Sequence, residues 1–212
     1  MSNEALTTVY IVRHGQSEGN ILGAQQGHLN FPLTDKGIEQ ASSLAQALQG
    51  IPFDEIHASD LARAHETANI IAQLQQAPVT TSSALRERNF GSLEGQIKTD
   101  LYETDKAKYA QWNSLPDDQW LDHRLVPGAE TGSEMLTRFF DYLDGVVAEA
   151  VGKTILVVSH QGMMRNILVS MGWGTVPELK GETIENTGYI KMLATKRRRE
   201  IAAVQGIEKR EL

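Results

Sequence analysis

The chain has 212 residues, 41% hydrophobic and 22% charged, a size and balance that suit one domain with a sizeable core. A formal net charge of -7 argues against a nucleic-acid coat or a membrane-surface binder, and an acidic protein that takes an anion must gather its arginines locally. There are no cysteines, which excludes disulfide frameworks, cysteine nucleophiles and thiolate metal sites.

The start, Met1-Ser2-Asn3-Glu4, has neither the basic nor the apolar region of a signal peptide. No apolar run approaches the ~18 residues of a membrane span. The expectation is a soluble, cytoplasmic protein without membrane or nucleic-acid partners. Val9-Tyr10-Ile11-Val12 then reads as a buried strand that delivers Arg13, His14 and Gly15 to its carboxyl end, the edge where open α/β sheets bind ligands. Gly15 to Gly27 is polar and small, a loop leading into a short helix. Thr34 or Asp35 caps a helix with Ile38, Ala41, Leu44, Ala45 and Leu48 on one face, ended by Gly50 and Pro52.

A second strand is predicted over Phe53 to Ala58. Ser59 or Asp60 can cap the following helix, whose face carries Leu61, Ala64, Ala68, Ile71 and Leu74. Pro78 to Thr81 suggests a short strand, and Leu85 to Gly95 a loop. Residues 96–130 are the least regular stretch and read as an inserted subdomain or lid, with Tyr102, Tyr109, Trp112 and Trp120 among charges. Those aromatics suit a substrate mouth or the packing of the insertion itself.

Thr131 or Ser133 opens a helix through Met135, Leu136, Phe139, Phe140, Leu143 and Val147. Ile155 to Ser159 is a second β-branched run closed by a histidine, His160, followed by a helix through Ile167, Leu168 and Met171. Thr187 to Leu193 reads as a late strand. From about 195 a basic tail begins with Lys196-Arg197-Arg198-Arg199, read as solvated or as a final hairpin through Ile201 to Val204. Alternating strands and helices imply a mainly parallel sheet covered on both faces, in one domain without internal repeats.

Several residues carry chemistry. A neutral imidazole at His14 can attack phosphorus if its second nitrogen is held, while Arg13 grips phosphoryl oxygens and disfavours the imidazolium. A core histidine satisfied by carbonyls is the alternative. Arg63 starts a helix near the same sheet edge, or else pairs on the surface with Glu66 or Glu87. Glu87 suits proton delivery to a leaving oxygen, or a surface ion pair. His160, with the amides of Gln161 and Gly162, suits stabilisation of a charged transition state. A metal held by both histidines needs a third ligand and conflicts with Arg13, and no His-Glu-x-x-His spacing is present.

Arg13-His14-Gly15, Arg63 in Arg-Ala-x-Glu-Thr-Ala, Glu87 before Phe90-Gly91-x-x-Glu94-Gly95, and Ser159-His160-x-Gly162 resemble the histidine phosphatase superfamily, in order and across residues 8–193. The resemblance implies a three-layer α/β/α sandwich of the phosphoglycerate mutase-like type. It also implies a metal-independent hydrolase of the histidine acid phosphatase type, acting on a small phosphorylated metabolite through a phosphohistidine on His14. Arg13, Arg63, His160 and Asn20 form the implied phosphate pocket, Glu87 is the proton donor, and Gln26, Gly27, Lys98 and Gln161 are expected at the substrate.

The same resemblance admits a cofactor-dependent phosphoglycerate mutase, an isomerase requiring 2,3-bisphosphoglycerate; otherwise no cofactor is expected. Lys98 favours the mutase. His123-Arg124 in place of paired arginines, Phe90 in place of a tyrosine, and an acidic 96–130 segment favour the phosphatase. A non-catalytic module that binds phosphorylated ligands is a third class, and a homo-oligomer is compatible with any of them.

Overall fold

The computed structural model describes residues 5–181 and 183–211; the Met1–Glu4 start lies outside them. Six strands among these residues form one sheet: β1 (Thr7–Arg13), β2 (Glu55–Ser59), β3 (Val79–Ser82), β4 (Thr154–Ser159), β5 (Ile184–Ala194) and β6 (Arg199–Ile207). Their order is β3-β2-β4-β1-β5-β6. β3, β2, β4 and β1 are parallel, while β5 and β6 add antiparallel ribbons at one side. The sheet is therefore mainly parallel, and the two histidine-bearing strands are neighbours at its centre.

The helices are α1 (Glu18–Ile21), α2 (Asp35–Ala47), α3 (Ala62–Gln75), α4 (Lys98–Thr104), α5 (Lys106–Asn113), α6 (Asp117–Asp122), α7 (Gly132–Glu149) and α8 (Gln161–Ser170). Strand alternation sorts the core into two layers. Val9, Ile11, Ile155 and Val157 face α7 and α8, meeting Phe139, Leu143, Met163 and Ile167. Tyr10, Val12, Leu156 and Val158 face α2 and α3, meeting Leu44, Leu48, Ala68 and Ile71. Both faces of the sheet are thus covered, giving the α/β/α sandwich.

Thr34 caps α2 through the Gly37 amide at 3.1 Å. Thr131 and Glu134 form a reciprocal capping box on α7. Some sequence expectations shift. The cap of α3 is Leu61, while Ser59 Oγ accepts from the Leu61 amide at 3.3 Å. Ile38 and Leu74, expected on apolar faces, are 39% and 47% exposed. The predicted loop at 85–95 contains two short 3-10 turns, Ser83–Leu85 at its edge and Gly91–Leu93 within it.

Residues 96–130 hold α4, α5 and α6, which share the α7–α8 core. Trp112 and Trp120 stack there at 5.1 Å with an interplanar angle of 11°. The tail forms the hairpin, one of its two expected forms: β6 spans Arg199–Ile207 as the outer strand against β5, longer than expected, while Lys196, Arg197 and Arg198 are exposed. No helix among the described residues is long and apolar enough to cross a membrane.

The loop after β1 is clamped onto α2 by close backbone approach. A side chain on Gly15 would collide with the Gly37 carbonyl, and one on Gly37 with the Gln16 carbonyl. Gln16 is also fixed by its amide on Gln40 Oε1 at 2.8 Å and by its carbonyl, which accepts from the Thr34 amide at 2.9 Å. Gly37→Ala is expected to cost about 1–3 kcal/mol in urea unfolding, through overpacking against backbone that cannot yield. Gly50→Ala, where nothing lies within 4 Å, is the control and leaves the midpoint nearly in place.

Candidate active site

Parallel pairing in register places Arg13 opposite Ser159, so the next residues, His14 and His160, emerge side by side. The His14 amide donates to the Ser159 carbonyl at 3.1 Å, and the two rings lie 5.1 Å apart at 61°. His14 Nδ1 is 2.7 Å from the Gly15 carbonyl. A carbonyl only accepts, so Nδ1 carries the proton and Nε2 keeps its lone pair.

Burial, then Arg63 and Arg13, holds His14 well below the usual imidazole range against the opposing Gly15 bond. Burial, Arg63, His14, Arg138 and His28 act likewise on His160. Both rings are neutral at physiological pH.

Arg63 is almost wholly buried, yet it meets neither Glu66 nor Glu87 in an ion pair. Its terminal nitrogens donate to the Leu29 and Gly27 carbonyls at 2.8 and 2.9 Å, and Nε has no hydrogen-bond partner. Burial lowers its pKa to about 10, with Glu87 and Glu94 acting in the opposite sense. Gly27 supplies its carbonyl from a left-handed backbone, with Glu94 packed where a side chain would project.

Arg13, also buried, donates to the Ile184 carbonyl. His160 is fully buried, and both of its ring nitrogens lack a protein partner. Buried polar groups are normally satisfied, and the one N–H of this neutral ring is therefore a donor without an acceptor among the described residues.

Glu87 reaches the site because Ser159 Oγ donates to the Leu85 carbonyl at 2.8 Å, while His28 Nε2 and Arg138 both donate to the Glu87 carbonyl at 2.9 Å. Its carboxylate is no surface ion-pair partner: it accepts from the Arg88 amide at 2.8 Å and the Gly162 amide at 2.9 Å. The Gly162 amide, expected to face a phosphoryl group, is therefore occupied by Glu87. Gln161 lines the cavity with its side-chain Nε2 engaged, donating to the Gly181 carbonyl at 2.6 Å.

These groups border a cavity of about 490 Å³ lined by Arg13, His14, Arg63, Glu87, Asn20, Gln26, Gly27, Lys98 and Gln161. His160 is not among the lining residues; it packs edge-on against His14. Asn20 Oδ1 accepts from the Ser17 amide at 3.0 Å and shares the single Ser17 hydroxyl proton with Gln26 Oε1, leaving its NH₂ as a donor without a partner among the described residues. Gln26 is a wall residue whose Oε1 accepts from Ser17 Oγ at 2.9 Å. Gly27 acts through Arg63. Phe90, Tyr102, Tyr109, Trp112 and Trp120 form an apolar side, so the aromatics of residues 96–130 are at once core and mouth.

Sequence reasoning missed His28, Arg138, Arg165 and Lys180. Arg165 had a legible signal: it follows Gln161 at helical i, i+4 spacing and so shares its face. Among the described residues no three His, Asp or Glu side chains gather as metal ligands.

The neutral histidines make stability depend on pH. An unfolded imidazole takes a proton below about 6.5 while the buried one refuses it, so stability is fully present above that pH and falls as pH drops. Each ring contributes a slope of about 1.4 kcal/mol per pH unit until its folded value is reached. Urea unfolding of the protein and of its His14→Asn and His160→Asn variants between about pH 7.5 and pH 5.5 measures this, and each variant should lose about one such slope.

A sequence profile of the histidine phosphatase superfamily (branch 1) matches residues 9–205. An adenosylcobalamin/alpha-ribazole phosphatase of Salmonella typhimurium is 32% identical over 77% of this chain and 78% of its own length. A metal-independent phosphoserine phosphatase of Arabidopsis thaliana is 30% identical over 76% of this chain and 67% of its own. A phosphoglycerate mutase structure from Bacillus anthracis superposes with a TM-score of 0.84 at 24% identity, covering 97% of this chain and 95% of that one. With its ordered motifs drawn together at the carboxyl ends of β1 and β4, the chain belongs to the histidine phosphatase superfamily.

Proposed function

We propose that the protein hydrolyses a small phosphomonoester through a phosphohistidine on His14, without a metal ion or cofactor. One observation carries this reading: a neutral His14, its Nδ1 proton held by Gly15, sits at a cavity beside a buried Arg63 that has no carboxylate partner. Arg13, Arg63, the Asn20 amide and the single N–H of neutral His160 grip the non-bridging oxygens. The His14 Nε2 lone pair forms the N–P bond as the P–O bond to the alcohol breaks, and Glu87 gives its proton to the leaving oxygen. Glu87 then takes a proton from water, whose oxygen attacks phosphorus, breaks the N–P bond and frees phosphate. The guanidiniums stabilise both transition states because they are already desolvated and fixed.

The aromatic wall suits an ester whose alcohol portion is sizeable and apolar. Relatives named as phosphatases support hydrolysis, and the ordinary cysteine-free composition supports the cytoplasm. A second reading, phosphoglycerate mutase with 2,3-bisphosphoglycerate, draws on Lys98, which does line the cavity. It is disfavoured by Arg124, which pairs with Glu134 at 2.6 Å and borders a separate surface cleft.

Phosphate release from a substrate panel tests the reading. His14→Ala should abolish turnover while keeping the folded spectrum. Glu87→Gln should slow alkyl phosphates by about 10²–10⁴-fold and p-nitrophenyl phosphate far less, because nitrophenolate leaves without a proton. Equal losses on both would remove Glu87 from proton transfer. Bisphosphoglycerate-dependent interconversion far faster than phosphate release would favour the mutase.

A further inference from the structure

Part of the cavity wall is formed by the loop at 175–181, where Lys180 of the loop comes together with Arg165 of α8. Arg165 and Lys180 both line the cavity. Arg165 donates through Nε to the Leu179 carbonyl at 2.7 Å and through a terminal nitrogen to the Gly181 carbonyl at 2.9 Å. Arg210, beyond β6, lays its guanidinium against Gly181 in the space a side chain would fill, and its amide donates to the Glu178 carbonyl at 2.9 Å.

Among the described residues none of the three makes an ion pair, because the ion-paired arginines and lysines lie elsewhere. The cations act on one another. Burial, then Arg210 and Arg165, holds the Lys180 ammonium below its ordinary range. Burial also lowers Arg165, with Glu87 and Tyr102 opposing it and Arg210 adding to it.

The neighbouring wall offers donors as well. α6 docks on this loop through Asp117, which accepts from the Val176 amide at 2.9 Å. The buried indole N–H groups of Trp112 and Trp120, both in the lining, have no acceptor. Gathering like charges beside unspent donors costs free energy that a bound anion would offset.

We propose that Lys180 and Arg165, backed by Arg210, form a second anion subsite in the same cavity, which binds a carboxylate or second phosphate on the alcohol portion of the phosphoester. This assignment rests on the phosphomonoesterase reading for the orientation of the ester. The substrate class is then bipolar: phosphate at His14, an apolar middle along the aromatic wall, and an anion at Lys180. Arg165 holds the loop through its two carbonyl bonds, which leaves Lys180 as the cation whose contribution is read most directly.

Calorimetric binding to the His14→Ala protein tests it with ω-carboxyalkyl phosphates of increasing length, each paired with its ω-hydroxyalkyl twin. A parallel series of α,ω-alkane bisphosphates is measured in the same way. At a matching length the charged end should tighten binding by about tenfold or more over the hydroxyl twin, the range of a charge-assisted hydrogen bond. A gain confined to one series names the anion as carboxylate or phosphate. Lys180→Met should erase the gain and Lys180→Arg should restore it.

Equal affinities for charged and neutral twins at every length, or a gain that survives Lys180→Met, would overturn the subsite. Wild-type protein that binds these esters but releases phosphate from none would instead overturn the hydrolase reading, while the affinity ratio still decides the subsite.

Discussion

The Arg63 guanidinium lies buried against the carbonyls of Gly27 and Leu29, with no carboxylate to neutralise it. Desolvating a cation in this way costs several kcal/mol, and backbone dipoles recover only part. Much of the surrounding architecture follows from holding that charge in place. Residues 26–30 wrap around it, Gly27 adopts a left-handed backbone to present its carbonyl, and Glu94 buttresses the turn through the His28 and Phe90 amides, both at 3.0 Å. The same charge, with burial, keeps His14 and His160 neutral. In the proposed chemistry the nucleophile, the anion grip and the neutral hydrogen-bond donor thus share one electrostatic cause.

A site that destabilises its own fold needs rigid support. The in-register β1–β4 pair fixes the backbone of both histidines, and apolar layers on either face of the sheet supply the packing. The Gly15–Gly37 contact leaves the loop after His14 no room to relax, so the Gly15 carbonyl that sets the tautomer is itself fixed. Glu87 is held by its own carbonyl and by two amides on its carboxylate, one from the start of α8. The His14 ring and the Glu87 carboxylate are each held by main-chain atoms, which move less than side chains.

What was legible in the sequence follows the range of the interactions involved. Strand-end His14 and His160 could be read from local hydrophobic runs, and parallel β1–β4 pairing brought them together as expected. Taken alone Arg63 is undecided, because its acceptors, Gly27 and Leu29, are carbonyls that no side-chain pattern reveals, and only the family resemblance puts it in the phosphate pocket. The Gly162 amide was assigned to the ligand because nothing in the chain shows that Glu87 reaches it first. Arg210 carries no local signal, because it lies beyond β6 and its place against Gly181 is set by tertiary packing alone. Ile38 and Leu74 satisfy helical periodicity yet face solvent, since the apolar stripe is wider than the surface it meets.

The central claim is that Gly15 holds the proton on His14 Nδ1 and so makes Nε2 the nucleophile. Rapid quenching during turnover of a labelled phosphomonoester, followed by peptide mapping and NMR of the modified imidazole, identifies which nitrogen carries phosphorus. The account predicts label on His14 alone, at Nε2, forming and decaying fast enough to lie on the catalytic path. Phosphate on Nδ1, on His160 or on any other residue would contradict it, as would turnover with no phosphorylated protein at all.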